Sequence, residues 1–467
     1  MNLVSGVENM YRRPNPQQSN IQSMNSIQLC QKLKDRNISS EVIKEIHDRA
    51  LFLLQTNDPR YSRYKFDARG LSTILNQLVK SRKYNISAEF LNAWTNQAIA
   101  LIDEFVPQSL SNSIWALGHL EIKPSEPFIK AWMHQATNIM CSFNSQNLSN
   151  SIWALGHLEI KPSEPFIKAW MHQATNIMCS FNSQNLSNSV WALEHLEIKP
   201  SEPFIKAWMH QTTNIMCSFN SQSLANSIWA LEHLEIKPSE PFIKAWMHQA
   251  TNIIEHFNAQ ELANSIYAIC ALKILCNSNI QIPQPFIDSI NSSIIQQLCN
   301  ENISQILRAH YYFSKKTTGI LTAKNRQLLE QKFKATLNPS RISNLQLNVL
   351  KVVQKVLASY TVKSEYYIKY ATSNVDIFIK DRNTIIQVDG PSHYKDNNIP
   401  NISTKINTKL LQSHGYIVHR IPYWIWDTLI TTAAQEDYIR GLISIDQYIA
   451  TVEQDDIFFD AHEDVYN

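Results

Sequence analysis

The residues best suited to chemistry in this 467-residue chain gather near its C-terminus. Asp376 sits in the run Val375-Asp376-Ile377-Phe378-Ile379, a strand pattern; Lys380 to Asn383 make a turn, and Thr384 to Val388 a second strand. Gln387 and Asp389 are two apart and therefore share one face. An acid on one strand with a polar-x-acid pair on the next is the layout of Mg²⁺-dependent nucleases, whose carboxylates hold the metal that activates water. On that reading Asp376 and Asp389 are the metal ligands. The usual pattern is an acid and then Glu-x-Lys. Here Gln387 replaces the Glu, Asp389 takes the Lys position, and Lys405 or Lys409 from the following helix would supply the cation. A second reading needs no enzyme and no cofactor: Asp389 and Gly390 form a turn, and His393 with Tyr394 contact phosphate or pack. One carboxylate fewer and a displaced Lys favour binding over cleavage.

A second set of polar residues recurs through the middle of the chain. Asn112 and His119 lie seven apart on one side of a helix, flanked by Trp115 and Ala116, while Leu110, Ile114 and Leu117 cluster on the other side. The equivalents are Asn150 with His157, Asn188 with His195, and Asn226 with His233. Amide, aromatic and imidazole repeated in this way can hydrogen-bond to and stack on unpaired bases. Packing between repeats is the stronger reading for Trp115. For Asn112, a ladder of bonds to the neighbouring repeat's backbone is an equal alternative.

The elements that must position these residues follow from the repetition itself. Residues 112–149 and 150–187 are identical, and the copies starting at 188 and 226 differ at few positions. A fixed 38-residue period predicts an array of one supersecondary unit stacked on itself. In the unit 143–180, Asn144-Ser145 can cap a helix from Gln146 to about Glu159. Lys161-Pro162-Ser163-Glu164-Pro165 then stops that helix and starts another that runs to about Cys179. Phe66, Phe105, Phe143, Phe181, Phe219 and Phe257 open successive units, and Ile303 to Tyr312 reads as an eroded further one. Among the copies, Gly118 and Gly156 become Glu194 and Glu232, and Asn147 and Asn185 become Ser223 and Glu261. These are the places where base reading would change, unless they are drift at exposed positions.

Basic and acidic residues nearly balance, at 42 and 40, but unevenly along the chain. Residues 56–83 carry seven basic and two acidic side chains, 301–356 ten and two, and 431–467 one and nine. Basic stretches flanking the repeats suit a polyanion ligand, and equally suit solvated helix faces. Each repeat is close to neutral, which leaves room for protein partners. The absence of an apolar run of 18 residues predicts no membrane span. Cys141, Cys179 and Cys217 recur at one repeat position without CxxC spacing, so they read as small buried thiols in an intracellular reducing compartment, cytoplasmic or organellar matrix. The first 25 residues, rich in Asn, Gln, Ser and Pro, predict disorder.

Leu148-Ser149-Asn150-Ser151-Ile152-Trp153-Ala154-Leu155 and Glu261-Leu262-Ala263-Asn264-Ser265-Ile266-Tyr267-Ala268 resemble octotricopeptide or heptatricopeptide repeats, found in organellar RNA-metabolism proteins. Gln387-Val388-Asp389-Gly390-Pro391-Ser392-His393-Tyr394, with Lys405, Lys409, Leu410, Gly415-Tyr416, Ile421-Pro422-Tyr423 and Trp426, resembles a RAP domain, an RNA-binding module related to restriction-endonuclease-like folds. The expected fold is mainly α: an α-solenoid of helical hairpins followed by a small C-terminal α/β domain of restriction-endonuclease-like fold. The expected domains are an N-terminal segment at 1–55, the repeats at 56–300, degenerate basic repeats at 301–356, the RAP-like domain at 357–430 and an acidic tail at 431–467. The expected function is binding of single-stranded RNA in post-transcriptional RNA metabolism. A Mg²⁺-dependent RNA endonuclease and a protein-interaction solenoid are the alternatives.

Overall fold

A computed structural model describes residues 21–444, apart from 36, 82–83, 277–279, 315–318, 337–341 and 396–397. Residues 1–20 and the tail beyond 444 lie outside the described residues, and so does most of the expected N-terminal disorder. The chain divides into two compact units, 1–218 and 219–467.

The first unit stacks helical hairpins: α1 (Ser26–Lys32) with α2 (Ser40–Gln55), α3 (Ala68–Ser81) with α4 (Ala88–Ala100), α5 (Pro107–His119) with α6 (Glu126–Asn138), α7 (Ser145–His157) with α8 (Glu164–Asn176), and α9 (Ser183–His195) with α10 (Glu202–Asn214). First helices pack on first helices and second on second, and α1 and α2 follow the same rule against α3 and α4. The array therefore begins before residue 56, where the sequence placed its start.

Local chemistry explains each hairpin. The Asn144 side chain accepts from Asn147 N at 2.9 Å, and the Asn147 side chain accepts from Asn144 N at 3.3 Å, closing a reciprocal cap. The first helix ends where Ile160 N reaches back to Leu155 O at 2.9 Å, with Glu159 left-handed at φ +52°. Glu121 and Glu197 repeat that conformation at +55° and +56°. Ser163 stands at the next N-cap position but makes no side-chain capping bond. Apolar spacing then buries Phe166, Trp170 and Ala174 completely. Trp170 also donates its indole N–H to Leu148 O at 3.0 Å, and Trp132 and Trp208 do the same to Leu110 and Leu186. Each repeat thus places one fully buried tryptophan, hydrogen-bonded to the preceding helix, in the core.

The second helix finishes in a 3-10 turn, Met178–Ser180. That tightening turns Met178 inward and Cys179 outward, and Cys141 and Cys217 are exposed by the same turn. The expectation of buried thiols is corrected accordingly.

The second unit starts with α11 (Ser221–His233), α12 (Glu240–Asn252), α13 (Ala259–Cys276) and α14 (Gln284–Ile290), then α15 (Asn300–Ser314) and the basic helices α16 (Ala323–Thr336) and α17 (Asn344–Val356). A mixed four-stranded sheet follows, in the order β1 (Val362–Ile368), β2 (Ser373–Ile379), β3 (Thr384–Asp389), β6 (Ile417–Pro422). The first three strands are antiparallel. β6 lies parallel to β3, reached through the ribbon β4 (Tyr394–Lys395) and β5 (Ile399–Pro400) and then α18 (Ile402–Ser413). After β6 come α19 (Tyr423–Thr428) and a helix over 432–444. Ile377, Ile379, Ile386 and Val388 pack against Val349 and Val353 of α17, Trp426 of α19, and Ile439 and Ile443. Ile439 and Ile443 are core, so the domain extends past residue 430 into the stretch expected as an acidic tail. Strand β1 was not expected from the sequence.

Candidate nucleic-acid interface

On the first helices of the first unit, four kinds of side chain form parallel columns because the 38-residue period returns each to the same turn. Gln108, Gln146 and Gln184 make one column, and Asn112, Asn150 and Asn188 the next. Trp115, Trp153 and Trp191 stand beside them, followed by His119, His157 and His195. The tryptophans are half-buried, and the three histidines are exposed. Rings run along the ridge: Trp115 to His119 is 4.0 Å between centroids, His119 to Trp153 5.1 Å, Trp153 to His157 4.9 Å and stacked, His157 to Trp191 6.5 Å, and Trp191 to His195 3.9 Å. These tryptophans therefore pack between repeats, the stronger reading for Trp115, and remain half-exposed. The Asn112, Asn150 and Asn188 amides are half-exposed and make no side-chain hydrogen bond among the described residues. One bond between neighbouring repeats does form one turn earlier, where the buried Asn147 donates to Ser111 Oγ at 2.9 Å.

The array's basic end carries residues that the sequence reading passed over. Counting back 39 residues from α5, Arg69, Thr73, Asn76 and Lys80 occupy the Gln, Asn, Trp and His columns. Lys80 Nζ sits 5.3 Å from the centre of the Trp115 ring. Lys34, Arg69 and Lys80 line a groove of about 790 Å³ together with Asn112 and Asn150, against one carboxylate, Glu104. The 39-residue spacing from Phe66 to Phe105 contains this information.

Variation among copies falls on packing positions. A Cβ on Gly118 would lie 3.3 Å from the Ala154 backbone, and one on Gly156 3.1 Å from that of Ala192. Glu194, half-buried, replaces them with its carboxylate 2.6 Å from His195 Nδ1, and Glu232 is fully buried beside His233. Asn147, Asn185 and Ser223 are buried next to their caps, and Glu261 accepts from Asn258 N at 3.0 Å. These changes preserve caps and helix contacts, and they are not drift at open surface.

In the second unit Asn226, Trp229 and His233 are the equivalent residues of the repeat, with Trp229 and His233 at 4.1 Å. One repeat on, Asn264, Tyr267 and Ala271 take those places. Tyr267 and Ala271 pack under Ile402 and Ile406 of α18, so the imidazole position has become small where the C-terminal domain covers it. Lys405 Nζ meets both Glu235 carboxylate oxygens at 2.7 and 2.8 Å, and Lys409 Nζ lies 3.5 Å from Ile274 O.

The strand carboxylates have separate partners. Asp376 accepts from Val388 N at 2.6 Å and from the Gln346 amide of α17, while its own N–H donates to Gln387 Oε1 at 3.3 Å. Burial pushes its carboxyl up to about 6, partly opposed by those two hydrogen bonds. Asp389 is fully buried and accepts from Arg420 at 2.6 Å through each oxygen and from Tyr394 Oη at 2.8 Å. His393 Nδ1 stands 3.7 Å from Asp389 and 3.3 Å from Thr404 Oγ1, and is exposed enough to meet solvent. The Tyr394 hydroxyl is pushed up by burial and by the Asp389 charge. Among the described residues no cluster of three or more His, Cys, Asp or Glu could hold a metal ion. With Asp389 neutralised by Arg420 and Lys405 held by Glu235, this donor set does not fit Mg²⁺.

Among the described residues no helix is long and apolar enough to cross a membrane. No curated protein matches the chain. Residues 386–442 match the RAP domain, a stretch that runs from within β3 through α18, β6 and α19 into the 432–444 helix. Residues 36–281, more than half of the 467, match a helical-repeat family from α2 onward, and the chain thus belongs to the RNA-editing substrate-binding complex 6 protein family.

Proposed function

We propose that the chain binds single-stranded RNA in post-transcriptional RNA metabolism, with the repeat array holding the strand and the RAP domain assisting. The RAP match and the family of RNA-editing substrate-binding complex proteins support an RNA-related role and membership of a complex. The observation that carries the reading is the ridge of half-buried tryptophans, exposed histidines and open asparagine amides repeated through the first unit. Every base has a π-face to stack and polar edges to bond, so such a ridge tolerates many sequences. Lys34, Arg69 and Lys80 give one end of it the cations that phosphates need.

The near-neutral charge of each repeat does not weigh against this. Lys130, Lys168 and Lys206 on the second helices are each paired with the Glu four residues earlier, at 2.5 Å. Those ion pairs lie on the second helices and use none of the ridge side chains. Binding without cleavage is the reading the Asp389–Arg420 pair supports. Exposed thiols at Cys141 and Cys179 suit a reducing compartment, cytoplasmic or organellar.

The test is titration of the full chain against a fluorescent oligouridylate at several salt concentrations. The logarithm of affinity should fall linearly with the logarithm of salt, by about 0.7 per phosphate neutralised. Trp153→Ala combined with His157→Ala should weaken binding on the order of tenfold. Absence of binding in dilute buffer, or a flat salt response, would overturn the proposal.

A further inference from the structure

Strand β1 contains an irregularity that rearranges which side chains share a face. The β1–β2 register pairs Ser364 with Ile377 and Tyr366 with Val375, and passes over the pair between them, Glu365 and Asp376. Glu365 is left-handed there, at φ +49°. A non-glycine residue in that conformation costs about 1 kcal/mol and persists only where its surroundings enforce it. The consequence is a break in strand alternation. Glu365 turns toward Gln346 of α17, 3.4 Å away, and Tyr366 joins Lys363 three residues earlier.

Two similar stacked pairs lie on this side of the domain. Tyr366 stacks on Phe378 at 4.9 Å and 18°, with Lys363 Nζ 5.3 Å from its ring centre. Tyr370 stacks on His414 at 4.0 Å and 20°, with Lys369 Nζ 4.9 Å from its ring centre. Tyr416 links them, 6.0 Å from Phe378 and 6.5 Å from Tyr370. Tyr366, Lys363 and Lys369 are exposed, and Tyr370, His414 and Tyr416 are half-exposed.

We propose that this sheet face, centred on Tyr366 and Tyr370 with Lys363 and Lys369, is a second contact for single-stranded RNA, stacking unpaired bases and holding the phosphates beside them. The assignment rests on the RNA-binding reading above and adds a site on a different part of the chain. An RNA strand is the occupant that the chemistry favours. The exposed Tyr366 ring and the half-exposed Tyr370 ring offer bases a stacking surface, the flexible ammonium groups suit phosphate oxygens, and the irregularity turns the Glu365 carboxylate off the face toward Gln346. The Asp389, Arg420 and Tyr394 cluster, in contrast, satisfies its own charges.

The experiment uses the full chain and 4-thiouridine-substituted oligouridylate, read by anisotropy and by mass spectrometry of photocrosslinked peptides. Crosslinks should appear at Tyr366 or Tyr370. Tyr366→Ala should weaken binding on the order of tenfold, and Lys363→Ala with Lys369→Ala should reduce the salt dependence. Thermal unfolding and the crosslinks at Trp153 serve as controls for an intact fold and an intact repeat ridge. If the wild-type chain binds RNA and these variants bind equally, with crosslinks confined to the repeats, this face is not an RNA contact and the ridge proposal stands. If the variants keep RNA affinity but lose a co-purifying protein, the face is a protein contact and the inference is likewise overturned. If the wild-type chain binds no RNA, the proposed function and this second contact fail together.

Discussion

Replacing Asp389 by Asn separates a structural carboxylate from a catalytic one. Asp389 is fully buried, and its two oxygens meet the Arg420 guanidinium at 2.6 Å each and the Tyr394 hydroxyl at 2.8 Å. Arg420 is itself mostly buried, with 14% of its side chain exposed, and can also use Thr408 Oγ1 at 3.0 Å. The amide would keep the shape but leave the guanidinium without a counter-charge. Breaking such a pair costs about 3–5 kcal/mol. Thr408 and the retained amide oxygen put the expected loss near the lower limit, at about 3 kcal/mol. Because repeats and domain need not unfold together, the assay is hydrogen exchange resolved to peptides. Amides of β3 and β6 should exchange on the order of a hundredfold faster in the variant, while those of α7 and α8 keep their wild-type rates. Arg420→Gln added to Asp389→Asn should recover part of the loss, since the orphaned charge is then gone. A metal-binding carboxylate would behave oppositely, its removal leaving stability unchanged or improved. Unchanged β3 protection in Asp389→Asn would therefore refute the structural assignment and reopen the catalytic one.

Two further outcomes follow from local geometry. Asp376 is raised by burial to about 6, so between its unfolded value near 3.8 and 6 the folded domain holds the extra proton, and stability falls as pH rises through that window. Asp376→Asn should flatten that slope and, with Gln346 free to flip its amide, stabilise the domain above pH 6 on the order of 1–2 kcal/mol; a slope that survives the substitution would implicate another group. Glu159 ends its helix at φ +52°, so Glu159→Gly should stabilise the array by about 0.5–1 kcal/mol, seen as a higher urea midpoint, and a lower midpoint would show that the Glu side chain does more than cap.

Much of this protein was legible in its residues. Phenylalanines at a fixed interval, Asn-Ser caps and Lys-Pro-Ser-Glu-Pro breaks are local signals, and repetition made each prediction testable against its copies. The hairpin array and the RAP motif were therefore accessible without coordinates, as was the column of Asn and His on one helix face. Side-chain commitments were not. Lys405 pairs with Glu235, 170 residues away, and Asp389 with Arg420 across a parallel strand pairing, and no spacing announces either. Cys179 pointed inward by α-helical periodicity and outward once the last turn tightened to 3-10. Strand β1 escaped because its left-handed Glu365 breaks the alternation by which a strand is recognised. Period and capping are properties of neighbours along the chain, so the sequence alone determined them. Which charges cancel and which rings share a face depend on residues brought together from far apart, and only the tertiary structure decided those.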